Sequence, residues 1–546
     1  MSQFVRPAVI GGEQSSRGFF GGRMTRARKV ALFVGAGAIV VLSILLKGPG
    51  ALVGVLILVL GWVVTIDTDN DTVWSRRISQ RRWRLSKKDG TWLFVPFNQQ
   101  VWDTLWRTYE RAKSRSERGR IMDDIRAMRD TPNGVQGFRW LEQRLGEPGI
   151  GWHRPPNGEE EYFSVAYAHD GQVSGIEPDV FLANMQANYE RVLAAHAPAS
   201  SRLRRVQPIT RVLPVDSVRH EKWLFDNLDP KAPHLLKESY AQVIALLSAG
   251  QLSQRHFTVG VWPVTPQLRE DAADRGEGVE GLRQLMAGEI QAFAAELQRA
   301  GFRGARPLTA RQTAAVIRHM QNPDFAIDRV NDITPDAGWL PSKDSRSYTT
   351  YYGAPYGPDG GVTGWKTMTA RFAGADVEPA ERDSLWLTPV LSGMSTQIVR
   401  TISFHLELVP QAEARALARE DLTDDLSEKQ SDAQKGRLED ETTDMTAKGA
   451  ARRRADLSPG RTHHGVNWVG YVTVAARTRK DLRRARRSME DAASNAGIHR
   501  LTWVDAQSST VNCYAWPLGR GITPRRKGLG DRFMTMLTGS KSKEAL

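Results

Sequence analysis

The stretch most similar to a nucleotide-binding motif is Gly360-Gly361-Val362-Thr363-Gly364-Trp365-Lys366-Thr367. A phosphate loop needs its lysine directly after the last glycine, so that backbone amides cradle the phosphates while the ammonium group reaches them. Trp365 stands between Gly364 and Lys366, and the following residues have the pattern of a strand rather than of a helix N-terminus. The sequence therefore predicts that no nucleotide binds here.

Two other groups of reactive side chains, His463-His464 and Cys513, have patterns typical of structural residues. Adjacent histidines do not share a helix face, and no nearby Cys or His completes a zinc ligand set. Cys513 lies in an apolar segment, Val511–Pro517, which we predict to be a strand. A thiol in such a segment is expected to be buried and unreactive.

The acidic groups Asp424-Asp425 and Glu439-Asp440-Glu441 lie in highly charged, solvated stretches. Paired catalytic carboxylates need a cleft that shifts their pKa values, and nothing in the sequence marks one. The chain also contains no Gly-x-Ser-x-Gly nucleophile motif. We therefore expect no catalytic, cofactor-binding or metal-binding residues, no cofactor, and a protein that is not an enzyme.

Two apolar runs, Val30–Leu46 and Ala51–Ile66, flank the connector Lys47-Gly48-Pro49-Gly50. Each run has about 16–17 residues, near the lower limit for spanning a bilayer, and basic residues flank both ends, which favours cytoplasmic termini. The sequence predicts a two-helix transmembrane hairpin in a multi-pass protein of the plasma membrane, with a tight turn at the connector. A signal peptide and a buried hairpin of a globular domain are the alternatives.

The composition is that of a globular protein with an excess of positive charge. The chain has 546 residues and a formal net charge of +14, with 40% apolar and 25% charged residues. Its single cysteine excludes an internal disulfide framework and fits a reducing compartment. Because basic clusters flank the apolar runs, anionic lipids are the expected partner, and nucleic acid is the alternative.

Beyond residue 90, strand and helix patterns alternate. Strands are expected at Thr91–Phe97, Tyr162–Ala168, His256–Val264, Trp365–Phe372, Arg400–Val409, Trp468–Val474 and Leu501–Val504, and helices at Pro178–His196, His234–Ala249, Gly278–Ala300, from a Thr309 N-cap to Met320, and at Arg479–Ala496. Phe257–Leu308 and Trp468–Val504 share the order strand, long helix, glycine, short strand. This order is half of a split β-α-β unit. We expect an α+β fold, in which the transmembrane hairpin precedes a cytoplasmic body of ferredoxin-like units.

The chain divides into six predicted segments. They are a basic cytoplasmic N-terminal arm (1–29), the transmembrane hairpin (30–66), a basic juxtamembrane and helical connector (67–130), a first α+β region (131–341), a second α+β region (342–520) with a charged arm at 428–454, and a basic flexible tail (521–546). The polar, charged composition of the arm favours a solvated helix or a disordered loop.

Four short motifs appear in order along the chain. They are Gly18-Phe19-Phe20-Gly21, Arg400-Thr401-Ile402-Ser403-Phe404-His405-Leu406-Glu407-Leu408-Val409-Pro410 followed by Arg415-Ala416, Gly470-Tyr471-Val472-Thr473-Val474-Ala475, and Trp516-Pro517-Leu518-Gly519-Arg520-Gly521. With the layout above, they resemble actinobacterial integral membrane proteins of conjugative, type IV secretion loci. The anchor resembles the PrgI family, and the body resembles the N-terminal, non-motor part of the CagE/TrbE conjugation ATPases.

This resemblance implies a non-catalytic, membrane-anchored structural component of a secretion apparatus. Where the ATPases continue into their motor domain, this chain ends shortly after Arg520. The implied partners are therefore a separate motor ATPase and other membrane components of the secretion system, in an oligomeric assembly. No catalytic residues are implied.

Three alternatives remain open, of which a membrane enzyme has no catalytic motif to support it. The chain is also similar in layout to EccE, a membrane component of actinobacterial type VII secretion, with a short N-terminal hairpin and an α/β cytoplasmic body. The basic stretch Arg477–Arg487, within the helix predicted at 479–496, instead favours a membrane-tethered DNA-binding protein, whose binding would depend steeply on salt.

Overall fold

In the computed structural model of the protein, the described residues are 8–11, 35, 37, 39–44, 48–64, 67–68, 71–156, 159–171, 177–214, 223–224, 226–229, 231–248, 252–328, 330–353, 364–395, 397–416, 418, 441–458 and 463–521. Most of the predicted N-terminal arm 1–29 therefore lies outside the described residues. So do residues 428–440 of the predicted charged arm and nearly all of the predicted tail 521–546.

The strands, in chain order, are β1 (Ala8–Ile10), β2 (Asp67–Thr68), β3 (Asp71–Thr72), β4 (Leu93–Pro96), β5 (Met128–Arg129), β6 (Phe138–Glu142), β7 (Ile150–His153), β8 (Tyr162–His169), β9 (Arg205–Pro214), β10 (Leu252–Pro263), β11 (Arg306–Pro307), β12 (Ser342–Asp344), β13 (Thr349–Tyr351), β14 (Trp365–Phe372), β15 (Ala380–Arg382), β16 (Val399–Val409), β17 (Gly465–Ala476) and β18 (Thr502–Trp503).

The α-helices are α1 (Gly48–Val64), α2 (Val73–Lys88), α3 (Gln99–Arg111), α4 (Arg115–Ala127), α5 (Asp179–His196), α6 (His234–Ser248), α7 (Pro266–Ala273), α8 (Gly278–Arg299), α9 (Ala310–Gln321), α10 (Thr388–Leu391), α11 (Glu441–Asp456), α12 (Arg479–Asn495) and α13 (Ser508–Asn512). Single 3-10 turns lie at Pro335–Ala337, Gly374–Asp376 and Cys513–Ala515.

One mixed sheet of 14 strands organises the fold, which is α+β as the sequence predicts. Its order is β5-β4-β12-β13-β14-β17-β16-β9-β10-β8-β7-β6, and the short strands β11 and β18 pair with β8 and β14. Every pair is antiparallel except β4 with β5. The sheet therefore runs without interruption through both predicted α+β regions.

Within this sheet, two groups of four strands have the same order. The first unit is β8, β9, β10 and β11, arranged β11-β8-β10-β9, and the second is β14, β16, β17 and β18, arranged β18-β14-β17-β16. Numbering each unit's strands in sequence gives 4-1-3-2, the arrangement of a β-α-β-β-α-β unit. The internal similarity between Phe257–Leu308 and Trp468–Val504 thus corresponds to a repeated topology.

The two units meet where β9 pairs with β16, with Arg400 opposite Val212 and Glu407 opposite Arg205. Successive strand residues point to opposite faces of the sheet. On one face α8 packs Phe293 over the first unit, and α12 packs Met489 over the second. On the other face lie α9 and the segment 508–518.

The ends of these helices follow from local sequence. Thr309 caps α9 in a capping box with Gln312, and Thr478 caps α12, because a threonine hydroxyl satisfies an amide that the first turn leaves unpaired. Gly301 and Gly497 end α8 and α12 with φ values of +89° and +72°. A glycine adopts this left-handed conformation without steric cost.

The predicted transmembrane hairpin at residues 30–66 is wrong. Among the described residues, no helix combines the length and the apolar content that crossing a bilayer requires. Helix α1 has 17 residues, which extend about 26 Å at 1.5 Å per residue, against a hydrocarbon core of roughly 30 Å. Gly48-Pro49-Gly50, predicted to be a turn, begins this helix. The multi-pass membrane localisation inferred from the hairpin is wrong with it.

Candidate functional site

The lysine and threonine of the glycine-rich stretch lie in a strand. Lys366 and Thr367 belong to β14, where they pair with Ala476 and Ala475 of β17. The Lys366 ammonium donates to the Arg477 carbonyl oxygen at 2.9 Å, and Thr367 is buried. Residues 354–363 lie outside the described residues. A strand here gives no helix N-terminus to hold a phosphate after Lys366.

Cys513 is buried, but it does not lie in a strand. It follows α13 at the start of a 3-10 turn, so the predicted strand Val511–Pro517 is wrong. Its Sγ donates to the Ser509 carbonyl oxygen at 3.1 Å, and burial raises the pKa of the thiol well above its usual range. A thiol that stays protonated is a poor nucleophile.

The remaining sequence candidates do not converge on one site. His463 is exposed and His464 is half-buried. Partial burial, with a smaller effect of neighbouring His463, lowers the pKa of His464. In the part of the chain that the structure describes, no three metal-ligating side chains come together. Asp424, Asp425, Glu439 and Asp440 lie outside it, and Glu441 begins α11.

One Ser-His-Glu grouping was not predicted, because its members are up to about 100 residues apart. His196, at the end of α5, contacts the Glu296 carboxylate of α8 through Nε2, and its Nδ1 lies 3.3 Å from Ser201 Oγ. The Ser201 hydroxyl donates to the Leu203 carbonyl oxygen at 3.2 Å, so its proton points away from the imidazole. This geometry ties α5 to α8 and does not activate a nucleophile.

A second polar cluster joins the two units to the C-terminal segment. The buried Gln207 side chain of β9 donates to Ser403 Oγ at 2.9 Å and to the carbonyl oxygens of Tyr514 and Trp516 at 3.1 and 3.0 Å. Its Oε1 accepts the Gly519 amide at 2.7 Å. Since every polar atom of this amide group is used, Gln207 has a structural role.

A buried carboxylate anchors the same segment elsewhere. Asp344 accepts hydrogen bonds from Ser509 and Thr349 at 2.6 and 2.7 Å. Burial raises the pKa of Asp344 to about 6, against the opposing effect of these hydrogen bonds. The shift resembles that of a catalytic acid, but Asp344 is only 6% exposed and both of its carboxylate oxygens bind other side chains of the fold.

Helix α6 exposes a row of large apolar side chains. Leu235 and Leu246 are 76% and 73% exposed, and Leu236 and Val243 are also exposed. At about 100° per residue, these four side chains fall within an arc of roughly 100° on one face. None of the described side chains of α6 is buried. Apolar patches of this kind mark interaction sites on globular proteins.

The position of α6 explains its exposure. It lies in the connection between β9 and β10, where a β-α-β-β-α-β unit requires only a hairpin. The apolar periodicity of this helix predicts that one of its faces is buried. The sequence does not show which part of the protein, or which partner, would cover that face. The structure leaves that face open within the described residues.

The second exposed surface is the basic helix α12, predicted at 479–496. Leu482, Ala485 and Met489 point into the core, while Arg479 and Lys480 begin an exposed basic face. The apolar and basic faces of α12 are thus separated around the helix, as the sequence indicates.

No protein-family model matches the chain, and no curated protein matches it.

Proposed function

We propose that this protein is a non-catalytic assembly component of a conjugative, type IV-like secretion apparatus, and that it docks a separate motor ATPase through the apolar face of α6. The observation that carries the proposal is the row of exposed leucine and valine side chains on a helix that the sheet does not need. The resemblance of residues 400–410, 470–475 and 516–521 to the non-motor part of conjugation ATPases supports the choice of partner.

The energetics of the surface fit a docking role. Burying one leucine or valine side chain contributes about 1.5–3 kcal/mol, so four of them contribute several kcal/mol against the cost of association. An amphipathic helix that enters an apolar groove is a common recognition mode. The proposal therefore requires a groove on the motor ATPase that accepts Leu235, Leu236, Val243 and Leu246.

The reactive groups support a non-catalytic role. Cys513, Gln207, Asp344 and His196 each bind other groups of the fold. Each can be understood from the packing of the sheet, and none needs a substrate. An assembly component needs an accessible surface, and the exposed apolar side chains of α6 supply one.

The test is the affinity between the full chain and the motor ATPase encoded in the same locus, measured by calorimetry. We expect Leu236→Ser with Val243→Ser and Leu246→Ser to weaken binding at least about tenfold. The matched control replaces three exposed apolar residues elsewhere, Leu145→Ser, Val180→Ser and Val279→Ser. Absence of binding by the unchanged chain, or equal affinities of the two triple variants, would refute the proposal.

A further inference from the structure

Five exposed basic side chains form a stripe along α12. They are Arg479, Lys480, Arg483, Arg484 and Arg487. At about 100° per residue they occupy an arc of roughly 140°, and at 1.5 Å per residue they extend about 12 Å along the axis. This basic stripe is therefore a continuous surface on one face of a helix.

Few of these charges are neutralised. Arg484 lies 3.8 Å from Asp481. In the part of the chain that the structure describes, Arg479, Lys480, Arg483 and Arg487 form no ion pair. Acidic residues pair instead with arginines beside the stripe, Asp324 with Arg477 and Glu490 with Arg486. Asp491 is exposed four residues after Arg487 and offsets part of this charge. The exposed face of α12 still carries more positive than negative side chains.

The fold does not require this charge. Helix α8 occupies the same topological position in the first unit, between the third and fourth strands. It carries Glu280, Glu289 and Glu296 against Arg283 and Arg299, an excess of one negative charge. Helix α8 thus packs on the same kind of unit without a basic face. Packing on the sheet therefore does not account for the basic stripe of α12.

We propose that the basic stripe of α12 binds the phosphate backbone of duplex nucleic acid, a function beyond the assembly role proposed above. Four of its five residues are arginines, whose planar guanidinium groups bind phosphate oxygens in pairs. A helix of this width fits the grooves and backbone of a duplex. The phosphates of one strand form a row of negative charges, and the stripe is a row of positive charges that can lie along it.

Two features separate a duplex from other polyanions. A helix that enters a membrane interface inserts its apolar face, whereas Leu482, Ala485 and Met489 of α12 are buried in the core. Single strands are held by bases that stack on aromatic rings. The neighbouring rings of Trp365 and Trp503 are half-buried and already covered by Arg477 and Arg486.

The experiment measures binding of the full chain to a fluorescent, random-sequence 25-base-pair duplex by anisotropy, over a series of salt concentrations. The stripe variant replaces four residues, Arg479→Gln, Lys480→Gln, Arg483→Gln and Arg487→Gln. The charge-matched control replaces four exposed arginines of the first unit, Arg299→Gln, Arg303→Gln, Arg306→Gln and Arg311→Gln. Circular dichroism establishes that both variants are folded.

Each lost phosphate contact lowers the slope of log K against log salt by about 0.9, so the stripe variant should lose about 3–4 from the slope. Its affinity should fall roughly tenfold or more at 0.1 M salt, while the control keeps the slope of the unchanged chain. Equal slopes for the stripe and control variants would overturn the proposal. So would stronger binding to a 25-nucleotide single strand, or a stripe effect confined to phosphatidylserine vesicles.

Discussion

The first and second units have the same strand order, and their long helices also end in the same way. In α8 the Phe302 amide donates to the Leu297 carbonyl oxygen, and in α12 the Ile498 amide donates to that of Ala493. Each bond closes a Schellman-type end around a glycine, with an apolar residue directly after it. This likeness extends from topology to single hydrogen bonds.

The surfaces of the two helices differ. Eight residues of α8 are buried, including Phe293, and its exposed charges are slightly negative. Five residues of α12 are buried, and its exposed face is basic. Each helix must bury an apolar face against its sheet, but the sheet does not determine the charge of the exposed face. The framework is therefore repeated, whereas the surface charge of the long helix differs between the two units.

The first crossovers differ as well. The first unit uses α5, with 18 residues, and the second uses α10, with four. In the second unit the buried guanidinium group of Arg400 donates to the carbonyl oxygens of Val390, Leu391 and Ile398. Burial lowers the pKa of Arg400 to about 10. One arginine thus satisfies backbone groups that a longer helix would pair internally.

The largest effect should come from the cores. Phe293→Ala in the first unit should lower the free energy of unfolding by about 3–5 kcal/mol, because it leaves a cavity under α8. Met489→Ala, its counterpart under α12, should cost about 2–5 kcal/mol. Urea denaturation measures both. A cost below about 0.5 kcal/mol for Met489→Ala would break the comparison, since α12 would then not be packed as α8 is.

The junction between the units should come next. Gln207→Leu should lower the free energy of unfolding by about 1–3 kcal/mol, because it leaves the buried Gly519 amide without its acceptor. The Tyr514 and Trp516 carbonyls each lose one donor but keep His405 and the Leu518 amide. The exposed Gln291→Leu is the control. Thermal unfolding with tryptophan fluorescence reports the change. No difference between the two variants would mean that the C-terminal segment does not join the units through this side chain.

Acid should act on histidines held neutral by burial. Burial, with a smaller effect of Arg211, lowers the pKa of His319 to about 3. Because the unfolded state binds a proton near pH 6.5 and the folded state does not, this stability is complete above pH 6.5 and declines below it. Between pH 7 and pH 5 the unchanged chain should therefore lose about 2 kcal/mol more of its free energy of unfolding than the His319→Gln variant does. His234→Gln, at an exposed histidine, is the control. Equal slopes for the two variants would contradict this assignment.

The smallest effect should come from α6, which lies outside both cores. Leu246→Ser should change the free energy of unfolding by less than about 0.5 kcal/mol, because the side chain is already solvated. The same substitution at Leu297, which is fully buried in α8, should cost several kcal/mol. Parallel urea titrations compare them. A large cost at Leu246 would show that the apolar face of α6 is covered in the isolated chain.

Much of the framework could be predicted from local sequence. The strand Trp365–Phe372 and the helix beginning at Arg479 agree with the structure, because period-two and period-3.6 patterns report which faces are buried. The segment after Val511 could not be predicted this way. Most of its apolar residues are buried. The run therefore lacks the alternation of apolar and polar residues that would distinguish a strand from a helical turn.

The site was harder to predict than the fold. The basic face of α12 is visible in sequence because its residues are contiguous, but its contrast with α8 depends on the repeated strand order. The exposure of α6 depends on what does not pack against it. The clusters around Gln207 and His196 join residues about 100 to 300 positions apart, and pairings at such distances leave no local pattern.

Hydrogen exchange of the full chain, with and without the 25-base-pair duplex, tests most directly whether α12 binds nucleic acid. We expect slower exchange of amides in Arg479–Asn495 and no change in the equivalent helix Gly278–Arg299, because only α12 carries the basic stripe. Equal protection of both helices, or protection confined to Gly278–Arg299, would contradict the claim that binding resides where the two units differ.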